Sequence, residues 1–233
     1  MNRPQWRVTA PFVQIGHRGL KAQAPENTLK GLDTGIRRGA QALEFDVQLH
    51  PSGELFLLHD LSLNRTTNGH GSAAALSWKR LRALDAGQGE RIPTLGEALQ
   101  TVARRVPVNI ELKTWNGTAA AVAALLHQLL KQGWTADDFV VSSFHLPELA
   151  LFRNLMPEIP VAALYMGVPL NGFADATALN ACAVCLGDEF TDADLIAKAR
   201  HQNLAAFVYT VNDAAEKTRW QQAGVAGIFT DLI

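Results

Sequence analysis

The stretch "VPVNIELKTWNGTAAAVAALLHQLLKQGWTADDFVVSSF", residues 106–144, decides the fold. Over 106–113 the residues alternate. Val106, Val108, Ile110 and Leu112 share one face, and Asn109, Glu111 and Lys113 share the other. That period of about two predicts a strand. The run "TAAAVAALLHQLLKQG" reads as a helix, and "FVVSSF" (139–144) as another strand. A strand, a helix and a strand in this order form a βαβ unit, whose strands run parallel through a helical crossover.

The same alternation extends both ways. Toward the N-terminus, "FVQIG" (12–16) and "ALEFDVQLH" (42–50) are strands. Between them "NTLKGLDTGIRRG" (27–39) is a helix, with Asn27 as the expected N-cap, Leu29, Leu32 and Ile36 as its apolar face, and Gly39 as its end. "ELFLLH" (54–59) is a strand joined to the previous one through Pro51, Ser52 and Gly53, a hairpin-like turn. Residues 60–92 are irregular, with turn signals in "NRTTNGHG" and a short helical pattern in "SWKRLRAL"; 94–105 is helical.

Toward the C-terminus, "LPELALFRNLM", 172–181, "TDADLIAKARHQN" and "DAAEKTRWQQAG" are helices. "PVAALYMG" (160–167), "AVCLG", "AAFVYTVN" (205–212) and "GIFTD" (227–231) are strands. With 54–59 counted as an extension of the second loop, the pattern predicts eight parallel strands. An α/β chain of this length and order fits one (β/α)8 TIM barrel over 1–233, with a small insertion within 50–92 after the second strand. The alternative is an open, doubly wound sheet. The first βα turn carries no G-x-G-x-x-G, which counts against a dinucleotide-binding version.

Composition narrows the function. The net charge of −1 leaves no basic footprint for a nucleic acid. The N-terminus "MNRPQWRVTAPFVQIG" has no secretory apolar core. The segment 118–130 is too short to span a bilayer and contains His127. These features predict a cytoplasmic protein without stable membrane association. Cys182 and Cys185, in "CAVC", read as plain buried cysteines.

The stretch "LEFDVQLHPSGELFLLHD" (43–60) puts charge where core is expected. Glu44 and Asp46 are two apart, so they share a face, roughly 6–7 Å apart along the strand. Leu43, Phe45 and Val47 then face the helices, and the carboxylates face the barrel interior. Glu111 and Lys113 end the strand 106–113, His17 follows the first strand, and His59 ends the excursion after the second. Barrel sites sit at the C-terminal ends of strands. His17, Arg18, Glu44, Asp46, His59, Glu111 and Lys113 are therefore all expected at one mouth.

Three carboxylates at one partly buried place repel one another. Either they take up protons, or a cation holds them ionised. All-oxygen ligation favours a hard divalent cation, Mg2+ or Ca2+, with Mn2+ also admitted. The bland alternative is that Glu44 and Asp46 pair with Arg18 and Lys113. His50, His70, His127 and His201 read as surface or packing residues; His145 is a weaker candidate for the mouth. Tyr209 ends a strand, which favours the mouth over the core.

The ordered set "HRG" (17–19), "PENT" (25–28), "EFDVQL" (44–49), "LLHD" (57–60), "RTTNGHG" (65–71), "IPTLGEAL" (92–99), "IELK" (110–113), "SSF" (142–144), "YTVN" (209–212) and "GIFTD" (227–231) resembles the glycerophosphodiester phosphodiesterases, in particular the short cytosolic bacterial type. The resemblance covers essentially the whole chain. It implies metal-dependent hydrolysis of small glycerophosphodiesters, such as glycerophosphocholine or glycerophosphoethanolamine, to sn-glycerol 3-phosphate and an alcohol. It also implies His17 and His59 as the acid–base pair, Glu44, Asp46 and Glu111 as ligands of one divalent cation, and Arg18 and Lys113 at the phosphate. Tyr209 stands where many members have Trp, at the alcohol pocket. Ser52-Gly53 replaces the frequent Asp-Gly, and no proline follows "TD" in "TDLI". Competing readings are a barrel phosphodiesterase acting on lysophospholipids and a non-catalytic barrel that binds phosphorylated ligands. Both histidines speak against the latter, since binding alone needs no acid–base pair.

Overall fold

The structure is a computed structural model and describes residues 3–8 and 10–233. In chain order the strands are β1 (Val13–Gly16), β2 (Ala42–Leu49), β3 (Leu55–Leu57), β4 (Val108–Leu112), β5 (Phe139–Ser143), β6 (Val161–Tyr165), β7 (Ala183–Gly187), β8 (Ala205–Tyr209) and β9 (Gly227–Thr230). The helices are α1 (Leu29–Arg37), α2 (Trp78–Leu81), α3 (Leu95–Val102), α4 (Thr118–Lys131), α5 (Leu146–Leu155), α6 (Ala174–Ala178), α7 (Ala193–His201) and α8 (Ala214–Ala223).

All strands but β3 run parallel, and the sheet closes on itself. β1 pairs with β2 (Ile15 opposite Ala42) and with β9 (Ile15 opposite Phe229). This is the expected (β/α)8 barrel. β3 lies antiparallel on the far end of β2, with Val47 opposite Leu57, as a hairpin extension.

The strand pleat divides the core. Leu43, Phe45, Val47, Val108, Ile110 and Leu112 face outward and pack under the helices. Val13, Ile15, Ala42, Val140, Leu164, Cys185, Phe207 and Phe229 fill the barrel interior, with Trp6 packed edge-on to Phe207. The inward columns of β1, β2, β8 and β9 change from apolar to polar as each strand runs toward its C-terminal end. Val13 and Ile15 lead to His17, Ala42 to Glu44 and Asp46, Phe207 to Tyr209, and Phe229 to Asp231. A period-two column therefore builds the apolar plug and the polar mouth from the same strand.

Several boundaries shift from their sequence expectation. Asn27 is not the cap of α1: Thr28 is, accepting from the Gly31 N–H, and Asn27 sits at φ 55° with its side chain turned into the barrel. α3 starts in a full capping box between Thr94 and Glu97, and ends at Val102 rather than 105. Ala103 and Arg104 take left-handed backbone there, where the chain reverses to enter β4. The helix expected over 172–181 shrinks to Ala174–Ala178, bounded by positive φ at Gly172 and Asn180. β8 stops at Tyr209, which leaves Asn212 outside the ladder and beside the mouth.

Residues 60–92 are mostly irregular, with a 3-10 turn at Ala73–Ala75 and the short helix α2, and enclose a second small core. Phe56, Leu58, Leu63, Ala73, Leu81 and Ile92 form it. His50 belongs to this cluster, buried against Phe56 and Trp78 and bonded to the Leu76 carbonyl, a packing role as expected. Among the described residues no helix is long and apolar enough to cross a membrane.

Candidate active site

A cavity of about 520 Å³ opens at the C-terminal ends of the strands. His17, Arg18, Glu44, His59, Glu111, Lys113 and Tyr209 line it, and Asp46 is buried beside them, ion-paired with Arg18 and Lys113. The whole sequence-predicted set is therefore brought together. Phe144, Leu164, Met166 and Phe229 make the apolar part of its lining. His145 is not part of the lining: it caps α5 and stacks on Trp115.

Glu44, Asp46 and Glu111 are 2%, 1% and 9% exposed. One carboxylate oxygen from each lies within 4.8 Å of the other two. The register explains the meeting: Asp46 is directly opposite Glu111 on the neighbouring strand, and Glu44 is two residues below Asp46. Burial, with the charges of Asp46 and Glu111, pushes the Glu44 carboxyl well above its ordinary range. Burial and the Asp46 charge push Glu111 up to about 7. Asp46 goes the other way: burial opposes its charge, but Lys113 and Arg18 outweigh it and hold the pKa low.

The bland pairing alternative is present in part. Lys113 Nζ lies 2.6 Å from Glu111 Oε1 and 3.5 Å from Asp46 Oδ1. Arg18 Nε lies 3.3 Å from Asp46 Oδ2, an ion pair not aligned as a hydrogen bond. These cations do not satisfy the trio. Glu44 takes only the Arg18 backbone N–H, on Oε2 at 2.9 Å, and its buried Oε1 has no partner among the described residues. A buried orphan oxygen beside two further carboxylates is the donor set a hard cation fits.

Each histidine is tied to a carboxylate. His17 Nδ1 is 2.7 Å from Asp231 Oδ1, and His59 Nδ1 is 2.6 Å from Asp60 Oδ1. An Nδ1–H donated to a carboxylate leaves Nε2 free to take or give a proton. Burial lowers the pKa of both rings, against the opposing pull of Asp231 on His17 and of Asp46 and Asp60 on His59.

Sequence reasoning missed the supports of these groups. Asn27 donates to Asp46 Oδ2 at 2.8 Å and accepts the Asp46 N–H at 3.1 Å, fixing the carboxylate from both sides. Asn212 does the same for Asp231, through 2.8 Å bonds to Oδ2 and from the Asp231 N–H. Lys21 joins the lining, 3.3 Å from Asp231 Oδ2. The motifs "PENT", "YTVN" and "GIFTD" carried these residues, but nothing in spacing said where their side chains point. Gly19 is the residue the strand-to-loop turn calls for: its φ is 90°, and a Cβ there would sit 2.5 Å from the Gly31 carbonyl carbon.

Fold and mouth together define a barrel hydrolase. Residues 17–233 match the model of the Glycerophosphoryl diester phosphodiesterase family, and the chain belongs to that family. It is 33% identical over 238 residues to the Glycerophosphodiester phosphodiesterase of Bacillus altitudinis, covering 94% of each chain. The enzyme of the same name from Caldanaerobacter subterraneus is 29% identical, with 93% of each chain covered. Among solved structures, an Oleispira antarctica phosphodiesterase in complex with the product sn-glycerol-3-phosphate superposes with a TM-score of 0.86 at 29% identity, over 98% of this chain and 93% of that one. A glycerophosphodiester phosphodiesterase from Agrobacterium tumefaciens gives 0.81 at 27% identity, over 95% and 96%.

Proposed function

We propose that this protein hydrolyses small glycerophosphodiesters to sn-glycerol 3-phosphate and an alcohol, working as one barrel unit with the excursion over 50–92. The observation that carries the reading is the pair of carboxylate-bound histidines, His17 and His59, in the same cavity as the acidic trio. Family membership and the product bound in the Oleispira antarctica relative support the substrate class.

Glu44, Asp46 and Glu111 would hold one divalent cation, Mg2+ or Ca2+. When bound, it would supply Lewis-acid polarisation of a phosphoryl oxygen. Arg18 and Lys113 face the cavity as fixed cations for the diester anion. One histidine Nε2 removes a proton from the attacking hydroxyl as its oxygen bonds to phosphorus. The other protonates the departing alkoxide as its P–O bond breaks. Asp231 and Asp60 keep Nδ1 protonated, so that Nε2 does this work. Tyr209 is held rigid by the bond it donates to the Tyr165 carbonyl at 2.8 Å, and edges onto Phe144 beside the alcohol.

The test is release of glycerol 3-phosphate from glycerophosphocholine with Mg2+ or Ca2+, and its loss with a chelator. A second reading, a lysophospholipid substrate, is favoured by one feature. Phe144 and Met166 both line the cavity and stand 38% and 69% exposed at its rim. Turnover of lysophosphatidylcholine against glycerophosphocholine separates the two.

A further inference from the structure

On one side of the mouth the ion pairs form a chain rather than separate bridges. Arg65 lies in the excursion between β3 and α3. Its Nε and Nη2 donate to Asp60 Oδ2 and Oδ1 at 2.8 and 3.0 Å. Its Nη1 and Nη2 donate to Glu26 Oε2 and Oε1 at 2.6 and 2.8 Å. Asp60 in turn holds His59 Nδ1, and Glu26 accepts from Arg18 Nη1 at 2.8 Å. Arg18 then reaches Asp46. Charges alternate at every step from Asp46 through Arg18, Glu26 and Arg65 to Asp60.

We propose that Arg65 is a positioning residue for the reaction: through Asp60 it fixes the His59 imidazole, and through Glu26 it fixes the Arg18 guanidinium. The proposal rests on the reading of His59 and Arg18 given above. A solitary exposed ion pair would contribute little. Here a planar guanidinium engages two carboxylates, each with two bonds, and so sets the plane of both. Each carboxylate spends a further oxygen contact on a group of the mouth. Glu26 is the more sheltered hinge of the arrangement, its side chain 11% exposed against 46% for Arg65. A lysine at 65 would keep the charge, but its point-like ammonium cannot hold both planes. The excursion thus has a task beyond covering the barrel: it carries the side chain that joins the acid–base group to the anion-binding group.

Steady-state kinetics on glycerophosphocholine with the saturated metal test this in Asp60→Asn, Glu26→Gln, Arg65→Gln and Arg65→Lys. Asp60→Asn should lower kcat, Glu26→Gln should raise KM, and Arg65→Gln should do both, each by about 10–100-fold as for other supporting residues of a site. The double variant Arg65→Gln/Asp60→Asn should have a kcat no lower than Asp60→Asn alone, because both act on one path. Near-native kcat and KM in Arg65→Gln, or losses that multiply in the double variant, would overturn the proposal. If Arg65→Gln does not fold, Arg65→Lys carries the test, and full activity there refutes it. A second readout needs no turnover. The ¹H–¹⁵N correlation of His59 should report the Nδ1–H tautomer in the parent and a mixed ring in Arg65→Lys. An inactive parent with this tautomer shift intact would refute the hydrolase reading and leave Arg65 supported; an unchanged tautomer would refute the Arg65 role.

Discussion

His17 Nδ1 and Asp231 Oδ1 lie 2.7 Å apart although they are 214 positions apart in the chain. The contact exists because β9 closes the barrel against β1, with Gly16 opposite Thr230 and the His17 N–H bonded to the Thr230 carbonyl. Barrel closure therefore assembles one half of the proposed acid–base machinery. Asp231→Asn should keep the fold but lose the preference for the Nδ1–H tautomer. Turnover should fall by more than about tenfold, toward the roughly 10⁴-fold known when a triad aspartate is amidated. Near-native kcat would remove Asp231 from the mechanism.

Replacing either histidine by alanine should cut turnover by at least about 10²-fold, the usual worth of a single proton transfer. Both rings sit among charges that alanine leaves unpaired, so circular dichroism and melting must accompany the kinetics. A folded His17→Ala or His59→Ala protein with parent-like kcat would contradict the assignment.

Glu44 is buried, lacks a partner on one oxygen and is repelled by Asp46 and Glu111. In metal-free protein Glu44→Gln should be at least as stable as the parent, since it removes a costly carboxyl. Millimolar Mg2+ or Ca2+ should raise the parent's melting temperature, by an amount equivalent to about 2.7 kcal/mol at a hundred times Kd. That shift should vanish in Glu44→Gln and Glu111→Gln. Calorimetric scans with and without cation decide; an undiminished shift in both variants would place the cation elsewhere.

Asp138 lies at the opposite end of the barrel. Its buried carboxylate accepts from Thr135 N at 2.9 Å and pairs with Arg7 and Arg104 at 2.5 and 3.0 Å. Burial opposes its ionisation, but the Thr135 bonds and the two arginines prevail and hold its pKa below the ordinary value. A carboxyl with a depressed folded-state pKa stabilises above its unfolded value of about 3.9, and that contribution disappears as pH falls through the folded value. Asp138→Asn should therefore lose about 1.5–3 kcal/mol at pH 7. The gap to the parent should narrow below about pH 4, as read from urea denaturation, while kcat at neutral pH stays unchanged.

Burial pushes the Cys182 thiol up to about 12 and holds Cys185 well above its ordinary value. Neither should react with iodoacetamide in the folded protein at pH 8, because the thiolate is the nucleophile. Both should react in urea. Rapid labelling of the native protein would contradict the packing of "CAVC" in the barrel wall.

Most of the fold was legible because its signals are local. The two-residue period of 42–49 and 106–113 assigns faces, and turn residues punctuate the helices. The mouth residues on or just past the strands, Glu44, Asp46, Glu111, Lys113 and Tyr209, follow from the same pleat. So does His17, one residue beyond β1. Element boundaries were less legible, as Asn27 illustrates. Its side chain had two uses, capping a helix or holding Asp46, and only the packing of α1 against β2 selects the second.

What only the tertiary structure decided is which distant groups share a bond. Strand alternation says that Asp231 and His17 face inward; barrel closure alone says that they touch. Nothing in the irregular stretch 60–92 says that Arg65 spans Asp60 and Glu26, because loop residues carry no period from which a direction can be read. Covalent spacing determined the faces here, and long-range register determined the partners.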